Sequence, residues 1–428
     1  MRSRALVLVD GEHYPDVTRE ALDCLPYEVV AAVLVGGTEK LRGELELGVP
    51  LYGGLEEALG CVPQVDLVFD LSDEPVLSPP DRMRLAALAL ARGLAYEGPG
   101  FRFEPPLLAA ADVPTLAVIG TGKRIGKTAV TAHAAALAAR DRRVVIVAMG
   151  RGGPAEPEVM ERRPSTDDLL ALSRTGRHAA SDHLEIAALT GLPTVGCRRA
   201  GGGLAGEVAR SNVLEGMARA AALAPELVLL DGSGAAMPPV AADRRILVVG
   251  AHQEPAVAAG YLNQYRALLA DLVIVTMAEP EAGRRVADAV QTVTPAGIPL
   301  LEVTLRPRPL AAIEGAVVAY FATAPEPAHR RLSEHLVRCH GAAEVRVSGS
   351  LGDRAALTGE LDRLECDVVL VELKGAAVDV VVEHAVRRGL RVVVAANELV
   401  TIGADGGLDE HLRRLGDEAV AAHGVPVG

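Results

Sequence analysis

Lysine is rare in this chain: Lys40, Lys123, Lys127 and Lys374 are the only four, and the other basic residues are Arg and His. Two of the four lie in Gly120-Thr-Gly-Lys-Arg-Ile-Gly-Lys-Thr128. An apolar run precedes this segment and an Ala-rich, helix-length run follows it. Strand, glycine-rich turn and helix in that order form a phosphate cradle. Glycines let backbone N–H groups face phosphate oxygens, and the helix N-terminus adds partial positive charge. Lys127 is expected to reach the β- and γ-phosphates of ATP, and the Thr128 hydroxyl to ligate Mg²⁺. Gly120, Thr121, Gly122, Arg124, Gly126 and Ala129 are expected to complete the nucleotide contact, with Lys123 touching phosphates from within the same loop.

A metal-binding acid should follow on a later strand. Glu226-Leu-Val-Leu-Leu-Asp231-Gly-Ser-Gly234 supplies one, because four apolar residues end in an acid and a Gly-rich turn. Asp231 is expected to hold Mg²⁺ directly or through water. Two further Gly-rich segments carry Arg: Met149-Gly-Arg151-Gly-Gly-Pro154 and Gly196-Cys-Arg198-Arg199-Ala-Gly-Gly-Gly203. Guanidinium groups at the carboxyl ends of parallel strands suit an anionic substrate, so Arg151, Arg198 and Arg199 join Lys123 and Lys127 as candidate catalytic cations. His178, Asp182, His183 and Glu185 fall within eight residues. They offer a metal ligand, phosphate contacts or a base. On a helix, His178 and Asp182 would share one face, as would Asp182 and Glu185. Nearer the N-terminus, strand-like runs end in Asp10-Gly-Glu-His13-Tyr, Gly36-Gly-Thr-Glu-Lys40 and Asp70-Leu-Ser-Asp-Glu74. These mark a second ligand-facing edge, with His13 and Lys40 as substrate candidates.

Composition narrows the function classes. The chain has 428 residues, half of them hydrophobic, which is enough apolar surface to build cores and excludes general disorder. The formal charge of −13 argues against nucleic-acid binding and against anionic membranes. Trp is absent and aromatics are 3%, too few for base-stacking platforms. The five Cys form no C-x-x-C pair and are expected to be buried thiols in a reducing compartment. With no leader-like start and no apolar run of membrane-spanning length, the expected location is the cytoplasm.

Short apolar runs at 5–9, 29–35, 66–69, 115–119, 144–148, 227–230, 246–249, 272–275, 317–321, 368–371 and 392–395 predict strands. Most are continuously apolar, as in parallel sheets buried on both faces. Helix-length segments such as 82–92 and 128–140 separate them. The alternation predicts an α/β protein of several domains, with mostly parallel sheet. Pro-containing breaks near 103–114 and at Arg306-Pro-Arg-Pro309 divide it into an N-terminal α/β domain (1–110), a central P-loop domain (111–310) and a C-terminal α/β region (311–428), although the last block could also extend the central sheet.

The phosphate loop resembles that of dethiobiotin synthetases. Partition-type ATPases carry a signature Lys where this chain has Gly122, which disfavours a nucleotide-switch protein. The whole set of segments resembles the cyclic 2,3-diphosphoglycerate synthetase family. It comprises Asp10-Gly-Glu-His-Tyr14, Gly36-Gly-Thr-Glu-Lys-Leu41, Asp70-Leu-Ser-Asp-Glu-Pro-Val76, the phosphate loop, Ala148-Met-Gly-Arg-Gly-Gly-Pro154, His178-Ala-Ala-Ser-Asp-His183, Thr194-Val-Gly-Cys-Arg-Arg199, Gly232-Ser-Gly-Ala-Ala236, Glu372-Leu-Lys374 and Ala376-Ala-Val-Asp-Val380. That resemblance implies an ATP-dependent ligase that closes 2,3-bisphosphoglycerate into a cyclic pyrophosphate, releasing ADP and phosphate. ATP and Mg²⁺ are the implied cofactors, stimulation by K⁺ is a further family expectation, and a homodimer is expected by analogy with similar P-loop enzymes. The competing readings are a 2-phosphoglycerate kinase and a P-loop switch.

Overall fold

The computed structural model describes residues 2–38, 45–279, 282–403 and 407–424. The chain is α/β, with mostly parallel strands in two sheets. The first sheet holds β1 (Arg4–Val9), β2 (Glu28–Leu34), β3 (Leu51–Tyr52), β4 (Leu67–Asp70), β5 (Ala95–Gly98) and β6 (Phe101–Phe103). Its order is β3-β2-β1-β4-β5-β6, with only the β5–β6 pair antiparallel. The order reverses between β1 and β4, so the ends of these two strands flank a switch point.

The second sheet begins with β7 (Thr115–Gly120), β8 (Val144–Gly150), β9 (Glu158–Met160), β10 (Thr194–Ala200), β11 (Arg210–Ser211), β12 (Leu227–Asp231), β13 (Arg244–Gly250) and β14 (Leu272–Thr276). It continues through β15 (Leu300–Pro309), β16 (Val317–Phe321), β17 (Glu344–Ser348), β18 (Val368–Val371) and β19 (Arg391–Thr401). The strand path is β11-β10-β8-β12-β7-β13-β14-β15-β19-β18-β16-β17, with β9 added on β10. Every residue of β7, β8, β12 and β14 is buried. These strands are covered on both faces, which is why their sequences are continuously apolar rather than alternating. One face carries the helices Lys127–Ala138 and Leu408–Ala422, which pack together in a shared core. On the other, the helix Pro79–Ala91 of the N-terminal part packs against Asn263–Leu268.

The path of β15 sets the geometry of the site. Residues 300–302 pair in parallel with β14, and residues 303–309 pair antiparallel with β19. β16, β17 and β18 run parallel to β19 and hence opposite to the P-loop strands. The carboxyl end of β18 therefore points back toward the carboxyl ends of β7, β8, β10 and β12.

Arg306-Pro-Arg-Pro309, read from sequence as a break, is thus strand. Two prolines are tolerated because of register. Glu302 and Leu310 bond to β19, whereas the Val303 carbonyl faces Ala278 on the β14 side. Odd-numbered residues, Pro307 and Pro309 among them, direct their backbone nitrogens away from β19, where no ladder bond is lost. A second correction concerns cysteine. Only Cys197 is buried, whereas Cys24, Cys61 and Cys339 are exposed, each in the last turn of a helix. No helix among the described residues is long and apolar enough to cross a membrane.

Candidate active site

β7 delivers Gly120 into a tight loop that ends at Gly126, the left-handed N-cap (φ 82°) of helix Lys127–Ala138. A Cβ on Gly120 would stand 2.6 Å from Ile125 Cδ1 and 2.9 Å from Lys127 Cδ, so only glycine lets the Lys127 stem lie across the strand end. Lys127 Nζ donates to the Gly122 carbonyl at 2.9 Å. The loop is held from outside. Thr121 Oγ1 donates to Gln253 Oε1 at 2.5 Å, and Thr276 Oγ1 donates to the Ile125 carbonyl at 2.6 Å. Thr128 is half-buried on the first helical turn.

Around Lys127 the structure gathers charge from four strand ends. Asp231, closing β12, is buried and accepts from Thr131 Oγ1 at 2.8 Å. Burial and the nearby Asp182 push its carboxyl up to about 7. Asp182 packs on Gly150 at the end of β8, where its Oδ2 lies 2.6 Å from the place a Cβ would take. Its own carboxyl is raised by burial. Arg199 on β10 donates to the Ser233 and Gly201 carbonyls at 2.8 and 2.6 Å, while its buried Nε has no partner among the described residues. The turn at Gly234 (φ 64°) brings further cations together. A Cβ there would meet Arg151 Nη2 at 3.0 Å, Arg199 Nη2 at 3.5 Å and Lys123 Cγ at 3.7 Å.

The fourth strand end is β18. Lys374 follows it and pairs with Glu185 at 3.5 Å. Glu372 anchors that turn, accepting from Thr323 N and Oγ1, Asn397 Nδ2 and Tyr320 OH at 3.0–3.2 Å. Glu185, then Glu372 and Asp182, raise the proton affinity of Lys374 against its burial. Lys127 moves the other way: burial, with Arg199 and Lys374 nearby, brings its ammonium down to about 8 despite Asp231 and Asp182. Ammonium and guanidinium groups crowded beside buried carboxylates are suited to hold polyanions and to stabilise phosphoryl transfer.

The comparisons with known proteins fall on this same chain from end to end. Family models described as cyclic 2,3-diphosphoglycerate synthetase match in three parts: the N-terminal domain at residues 4–104, the P-loop domain at 115–300 and the C-terminal domain at 309–398. A cyclic 2,3-diphosphoglycerate synthetase of Rubrobacter xylanophilus is 45% identical, over 99% of this chain and 100% of that one. The chain belongs to the cyclic 2,3-diphosphoglycerate synthetase family. Members from Thermococcus gammatolerans and Methanothermobacter thermautotrophicus are 43% and 40% identical, each over 97% of this chain. A solved LpxK from Aquifex aeolicus, in complex with ATP, aligns at a TM-score of 0.42 with 15% identity, over 73% of this chain and 91% of that one, a likeness too distant to bear on the site.

The chain is an enzyme of the synthetase class, and the residues singled out in its sequence can now be located. Lys127, Arg199, Asp231, Asp182 and Glu185 share one cluster, with Arg151 and Lys123 beside it at Gly234. Arg124 is exposed in the loop and reaches across to within 3.6 Å of where Gly352 would carry a Cβ. Ala129 is buried in the helix, with its N–H bonded to Gly126 O. Arg198 and Arg199 part company because neighbouring strand residues face opposite sides. Arg198 is exposed, and its backbone N–H, at 2.7 Å from Asn212 Oδ1, makes its contact. The helix starts only at Asp182, so Asp182 and Glu185 share its first turn whereas His178 precedes it in a loop. His183 is buried against Gly196 of β10. His13 sits on the other sheet, 2.8 Å from Asp10 Oδ1 and 3.4 Å from Asp73. Lys40 lies outside the described residues.

Sequence reasoning about the site missed Lys374, Glu372, Thr131 and Gln253. For Lys374 a signal existed in the scarcity of lysine. Three of the four lysines meet here. For Gln253 and Thr131 no pattern marks their role.

Proposed function

We propose that this enzyme converts 2,3-bisphosphoglycerate and ATP into cyclic 2,3-bisphosphoglycerate, ADP and phosphate. The observation that carries the reading is the meeting of Lys127, Arg199 and Lys374 beside Asp231, at strand ends of two oppositely directed halves of one sheet. A triphosphate on the Gly120–Thr128 segment would face cations supplied by β10 and β18. That is the requirement when one polyanion must attack another.

The chemistry balances in two steps. An oxygen of one substrate phosphate attacks the γ-phosphorus of ATP, the bond to ADP breaks, and a phosphoanhydride forms on the substrate. An oxygen of the neighbouring phosphate then attacks the inner phosphorus of that anhydride. Inorganic phosphate leaves and the P–O–P ring closes. Both nucleophiles are already deprotonated, so no general base is required. The second step is intramolecular and gains from proximity.

The donor set fits Mg²⁺. Thr128 offers a hydroxyl, and Asp231 a buried carboxylate that burial drives toward its neutral form unless a cation compensates it. Mg²⁺ is ordinarily held by one or two such oxygens plus substrate phosphates. When bound, it supplies charge neutralisation between the phosphates. The exposed Arg151 and the half-buried Arg199 are assigned to the acid substrate.

The test is ³¹P NMR of the purified enzyme with 2,3-bisphosphoglycerate, ATP and Mg²⁺. The expected result is loss of both monoester signals and growth of pyrophosphate-type signals, absent with Lys127→Ala. Unchanged substrate signals in folded, ATP-binding protein would overturn the proposal. Formation of the open bisphosphate from 2-phosphoglycerate would favour the kinase instead.

A further inference from the structure

Arg266, on the helix Asn263–Leu268, is 1% exposed, and the mechanism above leaves it without a role. Its guanidinium donates to oxygens that carry no formal charge. Nε and Nη2 reach the Ala235 carbonyl at 3.0 and 2.6 Å. Nη2 also reaches the Leu204 carbonyl at 3.1 Å. Nη1 is held within its own helix by the Leu262 carbonyl at 2.7 Å and Asn263 Oδ1 at 3.2 Å. Burial brings its proton affinity down to about 10, which still leaves a cation at neutral pH. Burying a charge is costly, and a planar fork that spans two separate segments is what an apolar residue could not supply.

The two segments it joins are the ones that hold Arg199. Leu204 lies in the Gly-rich segment that begins at Gly201, whose carbonyl accepts from Arg199 Nη1. Ala235 follows Ser233 and Gly234 in the turn after β12, and the Ser233 carbonyl accepts from Arg199 Nη2. The segments are also tied to each other, since Met237 N donates to the Gly206 carbonyl at 2.9 Å. Gly206 (φ 92°) leaves no slack there. A Cβ on it would stand 3.0 Å from both the Ala235 carbonyl oxygen and Arg266 Nη2. Arg199 thus has its direction set by two carbonyls, and one buried guanidinium grips both segments that carry them. The N-terminal helix Pro79–Ala91 packs on the helix of Arg266, so this support continues into the N-terminal part of the molecule.

We propose that Arg266 is a positioning residue that acts through Arg199, fixing the two segments that aim the Arg199 guanidinium at the acid substrate. The identity of that substrate rests on the reaction proposed above, but the coupling of Arg266 to Arg199 does not.

The test uses Arg266→Met, which keeps the length and removes the donors. Arg266→Lys keeps the charge without the fork and covers the case in which Arg266→Met does not fold. The first readout needs no substrate: the Arg199 Nε–H signal in ¹⁵N-arginine-labelled enzyme, assigned with Arg199→Lys. It should move in both Arg266 variants. The second readout is kinetic. With 2,3-bisphosphoglycerate, kcat/KM should fall about 10- to 100-fold in Arg266→Met, the scale of a misplaced binding group, with ADP affinity kept. Arg199→Met combined with Arg266→Met should be no worse than Arg199→Met alone, because the second change has nothing left to misplace. Fully additive losses, or an Arg199 signal that stays put in the Arg266 variant that folds, overturn the proposal. Ring closure by wild type with an unmoved Arg199 signal removes the positioning role alone. A moved signal in an enzyme that closes no ring removes the reaction and leaves the positioning role standing.

Discussion

Two edges of this molecule look alike in sequence and differ in structure. Both put acids at the carboxyl ends of parallel strands. On the N-terminal sheet those acids are saturated. Asp10 accepts from the Glu12 and Asp73 backbone at 3.0 and 2.7 Å and contacts the His13 ring at 2.8 Å. Asp70 accepts from Arg82 Nε and Tyr96 OH at 2.7 Å and from Ser72 N and Oγ at 2.9 and 2.5 Å. In the P-loop cleft the charges are held apart from ideal partners. Lys127 rests on a backbone carbonyl, Lys374 stands 3.5 Å from Glu185, and Arg199 Nε has no partner among the described residues. The first edge closes on itself, and its network specifies a fold. The second keeps Lys127 and Asp231 under-compensated, as a site does when a ligand completes it.

Three measurements can break or sharpen that contrast. The largest effect is expected at Lys374. Lys374→Ala should lower kcat by about 10²- to 10³-fold, the usual loss for a group that stabilises transition-state charge, with ATP affinity retained and partial rescue by Lys374→Arg. Wild-type turnover in Lys374→Ala would detach the C-terminal edge from the site. Next is Asp70→Ala, which removes the acceptor of Arg82 Nε and strands the buried Tyr96 hydroxyl. A loss of about 3 kcal/mol in urea unfolding is expected, with unchanged turnover per folded molecule. Unchanged stability with lost turnover would make the N-terminal edge reactive and end the comparison.

The smallest effect concerns Asp231. Its folded-state pKa, about 7, lies above the ordinary 3.8, so the folded protein holds that proton more tightly than the unfolded chain. The cost of ionising it is absent below about pH 4, grows as pH rises to about 7 and is complete above that. Asp231→Asn mimics the protonated form. It should therefore melt higher than wild type at pH 8, by about 1 kcal/mol of stability, with the gain vanishing toward pH 4 and with catalysis lost. Lys127 has the opposite sign. Its ammonium is penalised below about pH 8, and that penalty fades as pH rises toward 10.5. Equal melting of Asp231→Asn and wild type across this range would mean that the cleft is as well compensated as the Asp70 network.

Much of the cleft was legible beforehand because its parts are local. The phosphate loop is one contiguous turn whose glycines and lysine answer to steric and charge demands within nine residues. Asp231 closes an apolar run, and that run could only be a strand covered on both faces. All eleven strands expected from apolar runs exist, with ends moved by a few residues. Weaker signals failed. β10 contains Thr, Gly, Cys and two Arg, and β15 contains two Pro, so neither reads as a buried strand. The His178–Asp182 spacing fitted a helix that begins too late to include His178.

The sequence by itself determined the α/β class, the phosphate loop, the acid that closes β12 and the family. These depend on short-range periodicity, on φ/ψ demands at glycine and on residue identity, all of which are written along the chain. Only the tertiary structure decided that Lys374 joins Lys127, that Arg199 enters the cleft while Arg198 does not, and that His13 belongs to a separate edge. Those outcomes follow from strand order and direction. β15 leaves β14 and turns to pair antiparallel with β19, which aims β18 back at the P-loop. Pairings between residues so far apart in sequence are fixed by competition among packed surfaces, which no local pattern records.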